Sequence, residues 1–321
     1  MAAAEQKNQW WLLSKGPLLY SHHRLLEEAG HLDIELVNKQ LNEFSLIYPL
    51  SEKFPLNHKP KMILSRFLGN HFDDFDLDLL NYFESQGISC VNSSQSIAKA
   101  RSKLLQSKIF FQNQIPSLPL ISFRGPLSFE RQNEMSKFFT DQLHKWDLKF
   151  DHQYVLKFER GHQGKGVILV KGQDSLISVW ESFESLGDQR MVVTPFIGGA
   201  DIRELRAFFI NHKLQLLLER FPAEGDFRAN FSVKKKNIEI TDGALARVLQ
   251  PEEISDQVLS VALKTIKSFG LYIGTVDLFV LPQNRPVIIE VNATPGLEEA
   301  ESVSGLNLGR EILLSIQANF R

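Results

Sequence analysis

The chain has 321 residues, with 36 Lys plus Arg against 38 Asp plus Glu, a formal net charge of −2. That balance excludes bulk nucleic-acid binding, which leaves a basic footprint, and it excludes a solvating acidic tail. Hydrophobic residues at 43% support a sizeable core, the length suggests two or three domains, and the single cysteine, Cys90, provides neither an intrachain disulfide nor a Cys-rich zinc site.

The N-terminal stretch MAAAEQKNQWWLLS has no basic region before its short apolar run, so it does not read as a signal peptide. No apolar run reaches the length of a membrane span. The expectation is a soluble, cytoplasmic protein without membrane or nucleic-acid partners. A strand over 10–13 is followed by a helix over 21–29, with Ser21 as N-cap and Gly30 as stop. Strands over 34–37, 62–64 and 88–91 alternate with a helix over 77–85, which suggests a parallel sheet. A first α/β domain thus ends near residue 98.

Residues 97–112 read as one helix carrying Lys99, Arg101, Lys103 and Lys108. Pro116 and Pro119 punctuate an extended segment, and a helix follows over 128–143. Two apolar runs, 154–158 and 167–170, flank the segment ERGHQGKG. A helix over 175–186 leads to a strand over 191–196, and this unit reads as α+β. The remainder turns to longer strands, 205–210 and 214–221 across a hairpin signal at Asn211-His212-Lys213. A helix over 251–268 stops at Gly270, strands cover 273–281 and 286–292, and a last helix lies near 308–318. Clustered strands with helices at the edges suggest α+β here too.

The richest segment is GTVDLFVLPQNRPVIIEVNATPG, residues 274–296. Alternation puts Thr275, Asp277 and Phe279 on one face, and Ile288, Glu290 and Asn292 on one face of the return strand. A turn centred between residues 283 and 284 sets Asp277 opposite Glu290. Two carboxylates facing each other across a ladder repel. A divalent cation removes the conflict, and Asp, Glu and an Asn carbonyl are hard oxygen ligands suited to magnesium. The alternative is a pair of acids that are salt-bridged or edge-exposed. Gly161, Gly164 and Gly166 lie between two strands, where their N–H groups can cradle a phosphate or simply form a flexible hairpin. Lys157 sits mid-strand, next to a phosphate or on an edge strand; Lys103 lies within KARSKL, where a solvated helix face is the alternative.

The order of these signals, lysine helix, lysine strand with glycine hairpin, then D…E-x-N, resembles the ATP-grasp superfamily of carboxylate–amine ligases. The nearest likeness is to the RimK-type glutamate ligases. The likeness covers about residues 60–320 through SIAKARSKL, VLKFERGHQGKGV, ERFPAEGDFRAN and GTVDLF…VIIEVNATPGLEEAESVSGLNLG. It implies an N-terminal parallel α/β domain, 1–98, followed by a two-lobed ATP-grasp fold with antiparallel sheets, a central lobe over 99–192 and a C-terminal lobe over 193–321. It implies ATP and two Mg2+ ions, with Mn2+ as an alternative, and a reaction that joins an amino acid to a peptide, protein or small carboxylate. Whether the chain self-associates is left open.

By the same resemblance, Lys103 and Lys157 hold the ATP phosphates and the loop with Gln163 and Gly164 closes over them. The segment 193–197, with Thr194, Pro195, Phe196 and Ile197 at ATP, forms a hinge whose backbone reads adenine, through a carbonyl near Thr194 and the N–H of Phe196 or Ile197. Glu204 sits near the ribose. Asp277, Glu290 and Asn292 carry metal. Arg220 stabilises the transferring phosphate, and Arg206, Arg228 and Asn230 line the acceptor site. Arginines on a β face also pair with neighbouring acids such as Glu204 and Glu219, the plainer reading of Arg206 and Arg220. Two departures from the family pattern stand out. Pro195 lacks an N–H at the hinge, and Phe231-Ser232-Val233-Lys234-Lys235-Lys236 replaces a His-Arg-Gly-Gly-like segment. A non-catalytic nucleotide-binding module and a small-molecule kinase on the same fold are the rival functions.

Overall fold

A computed structural model of the chain describes residues 9–46, 59–67, 74–161, 166–185, 190–221 and 246–320. Among these residues the strands form three sheets, one parallel and two antiparallel. The first contains β1 (Trp10–Ser14), β2 (Leu36–Gln40), β3 (Met62–Ser65) and β4 (Ser89–Val91) in the order β2-β1-β3-β4, all parallel. Its two central strands are buried along their whole length. That is why they read as unbroken apolar runs, the pattern of a sheet covered on both faces.

Helix α1 (Tyr20–His31) differs from expectation at both ends. Leu19 is the N-cap, and its N–H donates to His22 Nδ1 at 3.0 Å. Ser21 lies inside the helix and its hydroxyl accepts the Leu297 N–H at 2.9 Å. Gly30 does not stop the helix, because a helical glycine costs only about 1 kcal/mol. The reversal comes later, at Asp33 with φ 53°. α2 (Phe75–Ser85) precedes β4.

The single helix expected over 97–112 is two, α3 (Ser94–Arg101) and α4 (Lys103–Gln112). Ser102 between them is extended (φ −99°, ψ 117°), and its hydroxyl caps α4 by accepting the Leu105 N–H at 3.1 Å. The same hydroxyl donates to the Glu159 carboxylate. A serine is a poor helix-interior residue and a good cap; here the tertiary partner decides in favour of the cap. The break turns Lys103 out of the α3 line and toward the second sheet.

That sheet holds β5 (Gln153–Phe158), β6 (Ile168–Lys171) and β7 (Met191–Pro195) in the antiparallel order β6-β5-β7. α5 (Phe129–His144) and α6 (Gln173–Ser185) cover it, packing Met135, Phe139, Leu176 and Trp180 on Tyr154, Leu156 and Val193. Each fully buried side chain of this size contributes about 1.5–3 kcal/mol.

The third sheet is antiparallel in the order β10-β9-β8-β11-β12, with β8 (Arg203–Ile210), β9 (Lys213–Arg220), β10 (Ala246–Val248), β11 (Ile273–Leu281) and β12 (Arg285–Asn292). Strand β10 had no counterpart in the sequence reading. α7 (Asp256–Phe269) covers one face together with α3 and α4, through Ile97, Ile109, Phe110, Ile266, Leu278 and Ile288. It ends at Gly270 in a left-handed conformation, φ 67°, the expected glycine stop. α8 (Glu298–Ser304), also unforeseen, and α9 (Leu308–Asn319) lie on the other face with α1. The segment 116–121 stitches the two antiparallel sheets: the Leu118 N–H donates to Ile288 O at 3.0 Å, and the Ile121 N–H to Val193 O at 2.9 Å. No described helix is long and apolar enough to cross a membrane.

Candidate active site

Between the three-stranded and five-stranded sheets lies a small cavity that opens to solvent. Lys103 and Gln106 of α4, Lys157 of β5, Thr194 of β7 and Glu290 of β12 all line it. Residues separated by nearly 190 positions thus meet at one concave surface. Lys103 is held there by three ties. Its Nζ donates to Gly161 O at 3.0 Å, its backbone N–H to Glu159 O at 3.3 Å, and the preceding Ser102 hydroxyl to the Glu159 side chain. Burial lowers the Lys103 amine from its ordinary value, with Glu290 opposing the shift and Lys157 adding to it. An anion arriving between the two lysines relieves that cost.

Asp277 does pair with Glu290, but not by the expected route. The turn is centred on Gln283, half a residue earlier than expected, since Leu281 faces Arg285 and Leu278 faces Ile288, which slips the pairing by one residue. A register shift at Asp277/Leu278 leaves Ile289 as an extra residue and restores the facing of the two acids. This is a β-bulge, which re-aims side chains next to functional sites. It also corrects the face assignment: Ile288 does not share a side with Glu290 but is fully buried with the α7 core, while Ile289 joins Glu290 at the cavity.

The repulsion between the facing acids is met first by an arginine. Arg206 lies opposite Asp277 on β8 and grips both carboxylate oxygens at 2.7 and 2.6 Å. Burial acts to raise the Asp277 carboxyl, but the charge and hydrogen bonds of Arg206 outweigh it and hold the group below its ordinary value. Asn292 completes the cluster, its amide 3.5 Å from Asp277 and 3.4 Å from Glu290.

Arg206 also reaches Glu299 at 3.2 Å, and Arg220, 3% exposed, reaches the same carboxylate at 3.1 Å and Glu204 at 3.3 Å. The plainer reading of the arginines therefore holds for Glu204, which faces Arg220 across the ladder. It fails for Glu219: neighbours on a strand point to opposite faces, and Glu219 binds Arg203 at 2.6 Å and Arg247 at 2.7 Å instead. Burial lifts the Glu204 carboxyl to about 7, with Arg220 opposing the rise. Glu299, on the first turn of α8, is the residue that sequence reasoning missed; the stretch GLEEAESVSG was noted, yet nothing local singles out one of its three glutamates.

At the hinge, Pro195 closes β7 opposite Tyr154. The Phe196 N–H, one of the two donors expected to meet adenine, donates to Gln153 O at 2.8 Å. The ladder simply extends one residue past the assigned strand. Gln163, Gly164, Arg228 and Asn230 lie outside the described residues, as does the lysine run 234–236.

The donor chemistry fits a magnesium site of the kind that keeps waters and phosphate oxygens. Two carboxylates and one amide converge, and the amide offers an oxygen once turned. No cluster of three or more His, Cys, Asp or Glu suited to a metal occurs among the described residues. A dedicated all-protein cage is thus absent there.

Residues 100–316 match the RimK-like ATP-grasp domain. The chain belongs to the RimK-like ATP-grasp family. It is an ATP-grasp ligase. A relative from Haemophilus influenzae (strain PittEE), named a probable alpha-L-glutamate ligase, is 30% identical over 321 residues, 96% of this chain and 98% of that protein. Among solved structures, a RimK domain ATP-grasp protein from Sphaerobacter thermophilus aligns with a TM-score of 0.66 at 17% identity, over 95% of this chain and 97% of that one. The ATP-grasp ligase PsnB, solved with a phosphomimetic variant of its minimal precursor, Mg and ADP, aligns with a TM-score of 0.68 at 14% identity, over 98% and 100% of the two chains. These two likenesses support the fold.

Proposed function

We propose that this RimK-like ligase activates a substrate carboxylate with ATP and joins it to the amine of L-glutamate or a similar amino acid. The observation that carries the reading is the convergence of Lys103, Lys157 and Glu290 on one cavity, with Asp277 and Asn292 beside Glu290. In this reading, the carboxylate attacks the γ-phosphorus, ADP leaves, and an acylphosphate forms. The amine then attacks the acyl carbon, and phosphate leaves from the tetrahedral intermediate.

Lys103 and Lys157 bind the phosphates, and their charge counters what builds up on the transferred group. Arg220, preset by Glu299 and Glu204, supports the phosphate and the tetrahedral oxygen. Asp277, Glu290 and Asn292 would hold two Mg2+ ions, which supply further charge neutralisation at the phosphates. Glu204 meets the ribose, and Thr194, Pro195 and Ile197 read adenine through backbone groups. Gln163 and Gly164 close over the phosphates, while Arg206, Arg228 and Asn230 face the acceptor, a peptide, protein or small carboxylate. The division of the chain at 98/99 and 192/193 belongs to the same reading, with β7 running across the second limit into the hinge.

The test is ADP release screened over pairs of carboxylate and amine substrates, followed by mass spectrometry of the product. ADP release that needs both substrates and yields an amide supports the proposal. A stable phosphorylated product indicates a kinase, and binding of ATP without any turnover indicates a nucleotide-binding module.

A further inference from the structure

We infer that Arg66, at the end of β3, is a binding residue for a substrate carboxylate other than the one being activated. The inference deepens the ligase reading and rests on it. Arg66 is 2% exposed, among the largest fully buried side chains of the protein. The other deeply placed arginines all have acids: Arg101 has Asp76, Arg206 has Asp277 and Glu299, and Arg220 has Glu299 and Glu204. Among the described residues no carboxylate meets Arg66. Its Nη2 donates to Pro295 O at 2.5 Å, and its Nε is buried with no partner. A buried, uncompensated guanidinium is costly, so a fold that retains one has a use for its charge.

Placement points to the use. Arg66 follows the carboxyl end of a central parallel strand, where open α/β sheets bind ligands. Its side chain runs away from that sheet to the turn after Asn292, because Pro295 is three residues beyond the amide that joins Asp277 and Glu290. The backbone carbonyl of Arg66 is engaged by His22 Nε2 at 3.1 Å, which fixes where the side chain starts. Burial and the Arg66 charge both depress the His22 imidazole, so this neighbour supplies no counter-charge. What remains without a partner among the described residues is the Nε edge, whose N–H together with an Nη2 hydrogen forms the fork that grips a carboxylate with two parallel bonds.

The test uses the full chain loaded with ADP and Mg2+, titrated calorimetrically with L-glutamate and, separately, with succinate. Arg66→Gln retains an N–H for Pro295 O and removes the charge; Arg66→Lys retains the charge without the fork. Wild type should bind at least one probe. Arg66→Gln should weaken that binding by about 100-fold and Arg66→Lys by about 10-fold, with ADP affinity unchanged within about twofold for both. Equal binding of the probe by wild type and Arg66→Gln overturns the inference, as does failure of wild type to bind either probe. A parallel loss of ADP affinity also overturns it, since Arg66 would then be a brace for the 293–297 turn. If Arg66→Gln fails to fold, Arg66→Lys decides by the same criteria. Amide formation read alongside separates the two claims: probe binding lost in the variant while wild type makes no amide upholds the site and sinks the ligase reading, and unchanged probe binding with normal amide formation does the reverse.

Discussion

Glu299→Gln tests whether the two arginines are positioned by one buried carboxylate. Glu299 is 8% exposed and accepts from Arg206 at 3.2 Å and from Arg220 at 3.1 Å. Hydrogen bonds to charged groups contribute about 1.5–3 kcal/mol each. Glutamine keeps an oxygen for one arginine and loses the charge for both, so the loss should be roughly 2–3 kcal/mol. Arg206 retains Asp277, whereas Arg220 falls back on Glu204 at 3.3 Å alone. For a chain of this size the melting temperature should drop by about 3–5 °C. Release of Arg220 should lower kcat/KM by roughly 30- to 100-fold, the kinetic equivalent of about 2–2.7 kcal/mol. Differential scanning fluorimetry and coupled ADP release measure both. Stability within about 0.5 kcal/mol of wild type would refute the energetic argument. A lower melting temperature with normal kcat/KM would show the bridge to be a brace without influence on Arg220 chemistry.

Glu290→Gln should abolish amine-dependent ADP release while the far-ultraviolet circular dichroism spectrum stays that of wild type; normal turnover would remove Glu290 from the metal set. Lys157→Met should weaken ADP binding by at least about 10-fold, one charged contact's worth, in a fluorescence titration; unchanged ADP affinity would remove Lys157 from the phosphate-binding set. Glu219 tests the Arg203–Glu219–Arg247 network. Burial works to raise its carboxyl, but hydrogen bonds and charge from Arg203 and Arg247 outweigh this and hold it below its ordinary value of 4.5. A depressed carboxylate stabilises above the unfolded value and loses that contribution as pH falls through the folded one. Glu219→Gln should therefore lower stability at neutral pH and flatten the acid limb below about pH 4.5 in urea titrations.

Much of the fold was legible in local pattern. The WWLL and MIL runs announced buried parallel strands, and Gly270 announced the end of α7. The meeting of Asp277 and Glu290 was also legible, though two departures cancel: the turn is half a residue early, which slips the pairing by one residue, and the bulge at Ile289 compensates. A bulge has no single-residue signature in an apolar strand such as PVIIEV, so the inverted facing of Ile288 could not be read. The break at Ser102 was hidden for a similar reason. KARSKL is helix-compatible throughout, and only Glu159, 57 positions away, turns the serine into a cap. Glu299 lay beyond reach because its meaning comes from Arg206 and Arg220 on strands far away in sequence. Local chemistry favours what the backbone can satisfy nearby; the site is assembled from what it cannot.

The most direct test of the ligase account is the fate of an oxygen atom. With the substrate carboxylate labelled in oxygen-18, attack on the γ-phosphorus leaves a labelled oxygen bridging carbon and phosphorus. Amine attack then expels that oxygen with the phosphate. The account predicts one labelled oxygen in each phosphate released, matched by one amide formed and one ADP. Phosphate free of label, alongside amide product, would contradict it.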